Sequence, residues 1–323
     1  MKRFIVLLSA SVLAFSLTAS AQQEVKPAEP APGIGVESVI VTAPALRTEK
    51  ALDNFIIAHS TPTLWLGKIA RWKNGICPLA VGLSPRLNMY ISQRIIRVAM
   101  MTGAPVDKGE TCRPNILVIA TEQPQAFLDF MSTKRPGLLG AHYISQRQKI
   151  ATMNLPVQAW YSTATEDFNG FISADLPSWE LGYGAMSSSY VAGSASSGSG
   201  GSGLAGAGFH VSGSRTGDGL KSQLSTAIIL VDTQKIAGLQ IGPLADYIAM
   251  LALSQGQSYD TCQSVPTINN LMASNCAAEM KPPALTDIDA TYLRGLYKMN
   301  AGSSYLGQRS SIAFEMKKDL GGY

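Results

Sequence analysis

Apolar residues recur at helical spacing near the start of the chain, and this pattern predicts two helices. Leu52, Phe55 and Ile56 share one face of a short amphipathic helix. A longer helix is predicted to follow Ser84, because serine is a common N-cap and proline comes next. Its apolar stripe ends before Gly103 and consists of Leu87, Ile91, Ile95, Val98 and Met101.

Continuous apolar runs that are rich in β-branched residues predict buried strands in the middle of the chain. These runs cover residues 115–121, 157–161 and 224–232. Residues 123–131 show helical spacing between the first two runs. The sheet edge is expected near Ile228, within the third run.

The last third of the chain is predicted to be helical. Pro243 begins a strongly apolar helix over residues 244–253, and Thr286 with Asp289 resembles a capping box at the start of another. A final helix is predicted to start over residues 312–316. Helices at both ends and strands mainly in the middle indicate an α+β protein with a mixed sheet and packed helices.

The first residues have the pattern of a cleavable signal peptide over 1–21. Two basic residues precede an apolar run that is too short to span a bilayer, and small residues before Ala21 predict cleavage after it. Residues 22–46 predict a disordered tether with a short β-prone segment, Val39–Ala43. Residues 47–323 predict one domain with a flexible Gly/Ser-rich insertion at 187–214.

Cysteine count and charge narrow the class of protein further. Four cysteines in an exported chain predict two disulfides, Cys77 with Cys112 and Cys262 with Cys276, because couples close in sequence lose the least entropy on closing. A metal site would need closer cysteine spacing with nearby histidines. The formal net charge of +4 falls to +2 without the two basic residues of the signal peptide. This near-neutral balance argues against nucleic-acid binding.

The order of these elements resembles the core of metzincin and other zincin peptidases, with a long helix, strands, an edge strand, a buried active-site helix and a C-terminal helix. Residues 285–297 add to the likeness, since they resemble the Leu-Ser/Thr-x-x-Asp…Leu-Tyr helix that follows the zinc site in many secreted zincins. The chain from about Thr48 also resembles uncharacterised exported proteins of proteobacteria, through Cys77-Pro78 and Gly82-Leu83.

The resemblance implies a zincin scaffold that has lost its metal. When the zinc motif H-E-x-x-H is laid on the corresponding helix, Ala245 and Ala249 fall on the ligand positions and Asp246 on the general base. The third ligand position falls on Gln255. Zinc hydrolysis needs imidazoles four residues apart and a carboxylate, and alanine offers no lone pair. Neither a metal nor another cofactor is therefore expected.

Few other residues suggest chemistry. His59 ends the first predicted helix, where a cation would favour the helix dipole, so it is interpreted as a cap. His142 and His210 lie in predicted loops, and Trp160-Tyr161 would line a groove or pack in the core. The candidate groove residues are Asp246, Trp160, Tyr161, His142 and His210.

The function predicted from the sequence is non-catalytic. We expect a secreted or periplasmic protein that binds a peptide, protein or envelope component through a degenerate peptidase-like groove, with no membrane span. The alternative is a hydrolase, either a peptidase using His142, His210 and Asp246 or a carbohydrate-active enzyme using acids such as Glu166, Asp167, Asp175 and Glu180.

Overall fold

A five-stranded mixed sheet forms the centre of the fold in the computed structural model, which describes residues 49–109, 111–140, 148, 150–175, 218–256 and 261–321. The spatial order is β1-β2-β5-β3-β4. Strands β1, β2 and β5 run parallel, whereas β3 is antiparallel to both of its neighbours. The strands are β1 Pro78–Val81, β2 Ile116–Thr121, β3 Val157–Glu166, β4 Ile172–Ala174 and β5 Lys221–Asp232.

Six α-helices in the described part of the chain complete the mixed α and β fold that the sequence predicts. They are α1 Glu49–His59, α2 Pro85–Thr102, α3 Pro124–Lys134, α4 Ile241–Leu253, α5 Asp287–Lys298 and α6 Tyr305–Asp319. Short 3-10 helices cover Pro136–Leu139, Ile268–Met272 and Ala278–Met280. The predicted signal peptide, tether and Gly/Ser-rich insertion lie outside the described residues, so they stay predictions.

The sheet buries both of its faces, because side chains alternate between them along each strand. On β2, Ile116, Val118 and Ala120 face a large core that α1, α2, α4, α5 and α6 share. Leu117 and Ile119 face the other side, where α3 and residues 136–139 close a smaller core around Trp160. Burial on both faces explains the continuous apolar run that predicted this strand.

Helix α2 begins close to the backbone of β2, and glycine makes that approach possible. Gly82 has φ of 96°, and a Cβ placed there would lie 1.8 Å from the carbonyl oxygen of Ala120. Ser84 then occupies the N-cap position, and Gly103 ends the helix in the left-handed conformation, both as predicted. β1, α2 and β2 therefore form a compact β-α-β unit.

Three details differ from the sequence predictions. The prediction of a sheet edge near Ile228 is wrong, because β5 pairs with β2 on one side and with β3 on the other. The final helix starts at Tyr305 rather than near residue 312, since Ser304 caps it by accepting a hydrogen bond from Gly307 N. Strands β1 and β4, which span four and three residues, were not predicted. The capping box of Thr286 and Asp289 is confirmed.

Both predicted disulfides are confirmed, with Cα–Cα distances of 5.9 Å for Cys77–Cys112 and 5.0 Å for Cys262–Cys276. Disulfides persist in oxidising compartments, so the pair fits an extracellular or periplasmic location. Within the described ranges, no helix is long and apolar enough to cross a membrane.

A buried ion pair joins α2 to α4. Arg94 Nη2 donates to Asp246 Oδ2 at 2.9 Å, and Arg94 Nε donates to Oδ1. The side chains are only 5% and 2% exposed. The backbone N–H of Leu285, just before α5, also donates to Oδ2 at 2.9 Å. This carboxylate thus connects three segments of the large core.

We expect Asp246→Ala to destabilise the fold by about 3–5 kcal/mol, because it leaves the guanidinium of Arg94 buried without its counter-ion. The double variant Arg94→Met/Asp246→Leu should lose less than the sum of its single variants. Urea unfolding followed by circular dichroism measures both.

The matched control is Arg294→Met, which removes a pair with Asp319 whose side chains are 31% and 20% exposed. Its loss should stay below about 1 kcal/mol. If Asp246→Ala lost no more unfolding free energy than Arg294→Met, the buried pair would not have the large effect on stability that is expected here.

Candidate binding cleft

The sequence-predicted groove residues that the structure describes do not share a groove. Trp160 is buried in the small core, where its Nε1 donates to Leu138 O at 2.9 Å. Tyr161 packs in the large core, on the opposite face, with its hydroxyl within hydrogen-bonding distance of two carbonyl oxygens. Asp246 lies inside the core, paired with Arg94. His142 and His210 lie outside the described residues.

The two positions at which the resemblance to zincins would place zinc ligands are part of the core. Ala245 and Ala249 are fully buried on α4 and belong to the large core. Nowhere in the described part of the chain do three or more His, Cys, Asp or Glu side chains come close enough to hold a metal ion.

His59 is buried in a neutral hydrogen-bonding network. Its Nδ1 donates to Phe55 O at 2.7 Å, and its Nε2 accepts from Asn269 Nδ2 at 2.7 Å. Burial lowers the pKa of His59 to about 4, although the bond to Phe55 acts in the opposite direction. His59 therefore caps the last turn of α1, as predicted, but as a neutral imidazole rather than as a cation.

The acids considered for glycoside hydrolysis also have structural roles. Asp175 accepts hydrogen bonds from the hydroxyls of Thr163 and Thr165 at 2.6 and 2.7 Å, next to the short β3–β4 ladder. Asp167 Oδ1 accepts from the backbone N–H groups of Asn169 and Phe171 and holds the turn between these strands. Glu180 lies outside the described residues.

A cleft of about 260 Å³ opens where β3 ends and β5 begins. Its charged side chains are three cations and one carboxylate, and one amide in its wall is buried. The segment after α5 completes the wall. The lining residues are Arg71, Lys73, Glu166, Lys221, Ser222, Gln223, Met299, Asn300 and Ala301.

Glu166 holds two lysines at this cleft. Lys73 Nζ lies 2.6 Å from Oε2, and Lys221 Nζ lies 3.3 Å from Oε1. Burial alone would raise the pKa of Glu166, but the hydrogen bond from Lys73 and the charge of Lys221 together lower it below the ordinary value. Glu166 therefore stays ionised as a counter-ion, which makes it a poor proton donor.

Arg71 adds a third cation. Its Nη1 donates to Leu296 O at 3.0 Å and also to Tyr297 O, near the C-terminal end of α5. Arg71 also forms an isolated parallel bridge with Gln223. The backbone of Arg71 is therefore held at the beginning of β5, while its guanidinium lies at a helix end that carries partial negative charge.

Gln223 provides the least satisfied group in the cleft. The residue is only 3% exposed, and its Oε1 is buried without a hydrogen-bond partner among the residues described here. An unpaired buried acceptor costs about 1–3 kcal/mol, so such groups mark places where a donor is expected. Cross-strand pairing puts Gln223 opposite Ala164 and Lys221 opposite Glu166, so these four residues face the same side of the sheet.

The cleft residues were not found from the sequence, apart from Glu166, which was considered only for hydrolysis. The available signal was polar: Lys221 and Gln223 alternate immediately before the apolar run that predicted β5. Assigning them to one site requires the pairing of β5 with β3, including an irregularity in register between Ser162 and Thr163.

Because of the buried imidazole of His59, we expect the free energy of unfolding to decrease as the pH is lowered. A base whose pKa is lowered on folding stabilises the fold fully above its unfolded pKa of 6.5, and this stability is lost as pH falls toward 4. Between pH 7 and pH 5 the loss should be about 2 kcal/mol. The variant His59→Gln should be less stable than the wild type at pH 7. Its unfolding free energy should not show the loss between pH 7 and pH 5 that the imidazole causes. Urea unfolding at both pH values checks it, and parallel slopes for the two proteins would contradict it.

Comparisons with protein-family models, with curated proteins and with solved structures found no match to this chain. No relative therefore supplies a substrate, partner or fold name.

Proposed function

We propose that this protein is a non-catalytic binding protein of the periplasm or extracellular space, and that it holds a peptide or protein segment at the cleft around Gln223. The single observation that carries the proposal is the buried, unpartnered Oε1 of Gln223 beside half-exposed lysines. A group that needs a donor and two cations that reach solvent together favour binding of an external polar ligand.

The protonation states at the cleft favour binding over turnover. General acid–base catalysis needs a group whose pKa lies near the working pH. The lysines hold the pKa of Glu166 below its ordinary value, so the carboxylate neither releases a proton near neutral pH nor accepts one readily. Of the residues named for the hydrolase alternative, Asp246 is paired with Arg94 in the core.

We also propose that the domain is a zincin-like scaffold without its metal, and that residues 1–21 direct export. The support is the order of elements: a long helix α2, antiparallel strands β3 and β4 at one edge, and the apolar helix α4 directly after β5. The alanines at 245 and 249 support the loss of metal.

The test is to combine binding and turnover measurements on one sample. The protein from residue 22 onward would be incubated with a pool of N-acetylated random hexapeptides. We expect saturable binding by isothermal titration calorimetry and an unchanged mass spectrum after prolonged incubation. Peptide cleavage would overturn the non-catalytic proposal, and absence of binding would overturn the peptide-binding proposal. One equivalent of zinc in the purified protein would overturn the loss of metal.

A further inference from the structure

We propose that the cleft recognises the C-terminal carboxylate of its peptide ligand, with Lys73 and Lys221 as charge partners and Gln223 as acceptor for a backbone N–H. This inference rests on the proposed peptide-binding function and adds the part of the peptide that is recognised. Capture of a terminal carboxylate is a known mode of peptide recognition.

The first requirement is a place for one negative charge. Three cations, Arg71, Lys73 and Lys221, line the cleft with one carboxylate, Glu166. The lysine side chains are 50% and 42% exposed, although each has its Nζ near Glu166. An ammonium has three donors, so one bond to Glu166 leaves each lysine able to donate to a ligand. The surplus positive charge favours an anion.

The second requirement is that the ligand carries a hydrogen-bond donor close to its negative charge. Gln223 Oε1 is a buried acceptor without a partner, and Gln223 lines the same cleft as the lysines. Acetate or a simple inorganic anion with no proton to donate would leave this oxygen unsatisfied. A peptide end carries a backbone N–H beside its carboxylate in every sequence except one that ends in proline, so it meets both requirements.

The cleft has room for the end of a peptide. It measures about 260 Å³, near the lower end of the roughly 300–1,000 Å³ of pockets for drug-sized molecules. Met299 is almost fully buried and, with Ala301, adds an apolar part to the wall. A peptide end with a modest terminal side chain can enter such a space.

Glu166 lines the cleft beside the lysines and repels any anion that binds there. Replacing Glu166 by glutamine removes this repulsion and frees both lysines. The carboxylate hypothesis therefore makes the unusual prediction that Glu166→Gln binds more tightly than the wild-type protein.

The experiment compares two pools of N-acetylated random hexapeptides that differ only at the last group, a free acid in one and an amide in the other. We expect the free-acid pool to bind roughly tenfold or more tightly, the range of a charge-assisted hydrogen bond. Lys73→Met/Lys221→Met should weaken binding of the free acid and leave binding of the amide nearly unchanged. Gln223→Leu should weaken binding of both pools, because both carry the backbone N–H. Glu166→Gln should strengthen binding of the free acid.

The matched control is Lys235→Met, since Lys235 is 44% exposed and pairs with Asp232 away from the cleft; its affinity should equal that of the wild type. Far-UV circular dichroism checks that each variant folds, and the acid–amide comparison needs no variant. Equal binding of the two pools would overturn the carboxylate inference and leave peptide binding intact. Binding of neither pool would overturn both. Stronger competition by inorganic phosphate than by N-acetylglycine would also overturn the inference, in favour of a phosphate site.

Discussion

The buried pair of Arg94 and Asp246 sets how the helices of the large core lie against one another. Its two charges come from α2 and α4, and the carboxylate also accepts the backbone N–H of Leu285. Each buried ion depends on the other for compensation, because desolvation of either alone costs several kcal/mol. A guanidinium accepts a carboxylate in few orientations, so the pair restricts the register of α2 on α4 more narrowly than apolar contacts do. The segment leading into α5 is positioned by the same carboxylate.

The cleft exists because the strands of the sheet have unequal lengths. Strand β2 pairs with β5 only over Ala227–Asp232, so the first residues of β5 extend past it. The segment around Arg71 occupies part of the vacant side through its bridge to Gln223. On the other side, β3 continues to Glu166. Polar side chains thus collect at one end of a sheet whose middle is apolar.

Apolar periodicity was sufficient to predict most elements, and its failures have identifiable physical causes. The apolar runs at 115–121 and 224–232 predicted two strands because burial on both faces of the sheet makes those stretches continuously apolar; the polar start of β5 was not predicted. The start of α6 was missed because residues 307–311 carry no apolar side chain. Gln308 is the buried residue there, and it accepts a hydrogen bond from Ile69 N and donates one to Ala301 O. The cleft was missed because Glu166 meets Lys73 and Lys221 across 93 and 55 residues. Such encounters depend on strand register, which single-sequence patterns do not contain.

The central place of β5 has a consequence for the order of assembly. This strand comes last along the chain but lies between β2 and β3, and Ile116 pairs with Ala227 more than a hundred residues later. Loop-closure entropy must be paid before such distant partners meet, which slows folding. A nascent chain that stops short of Asp232 has two half-sheets with unpaired inner edges. The central sheet can therefore be completed only after almost three-quarters of the polypeptide has been synthesised. A truncation before that point would leave incomplete sheets whose unpaired edges are prone to aggregation.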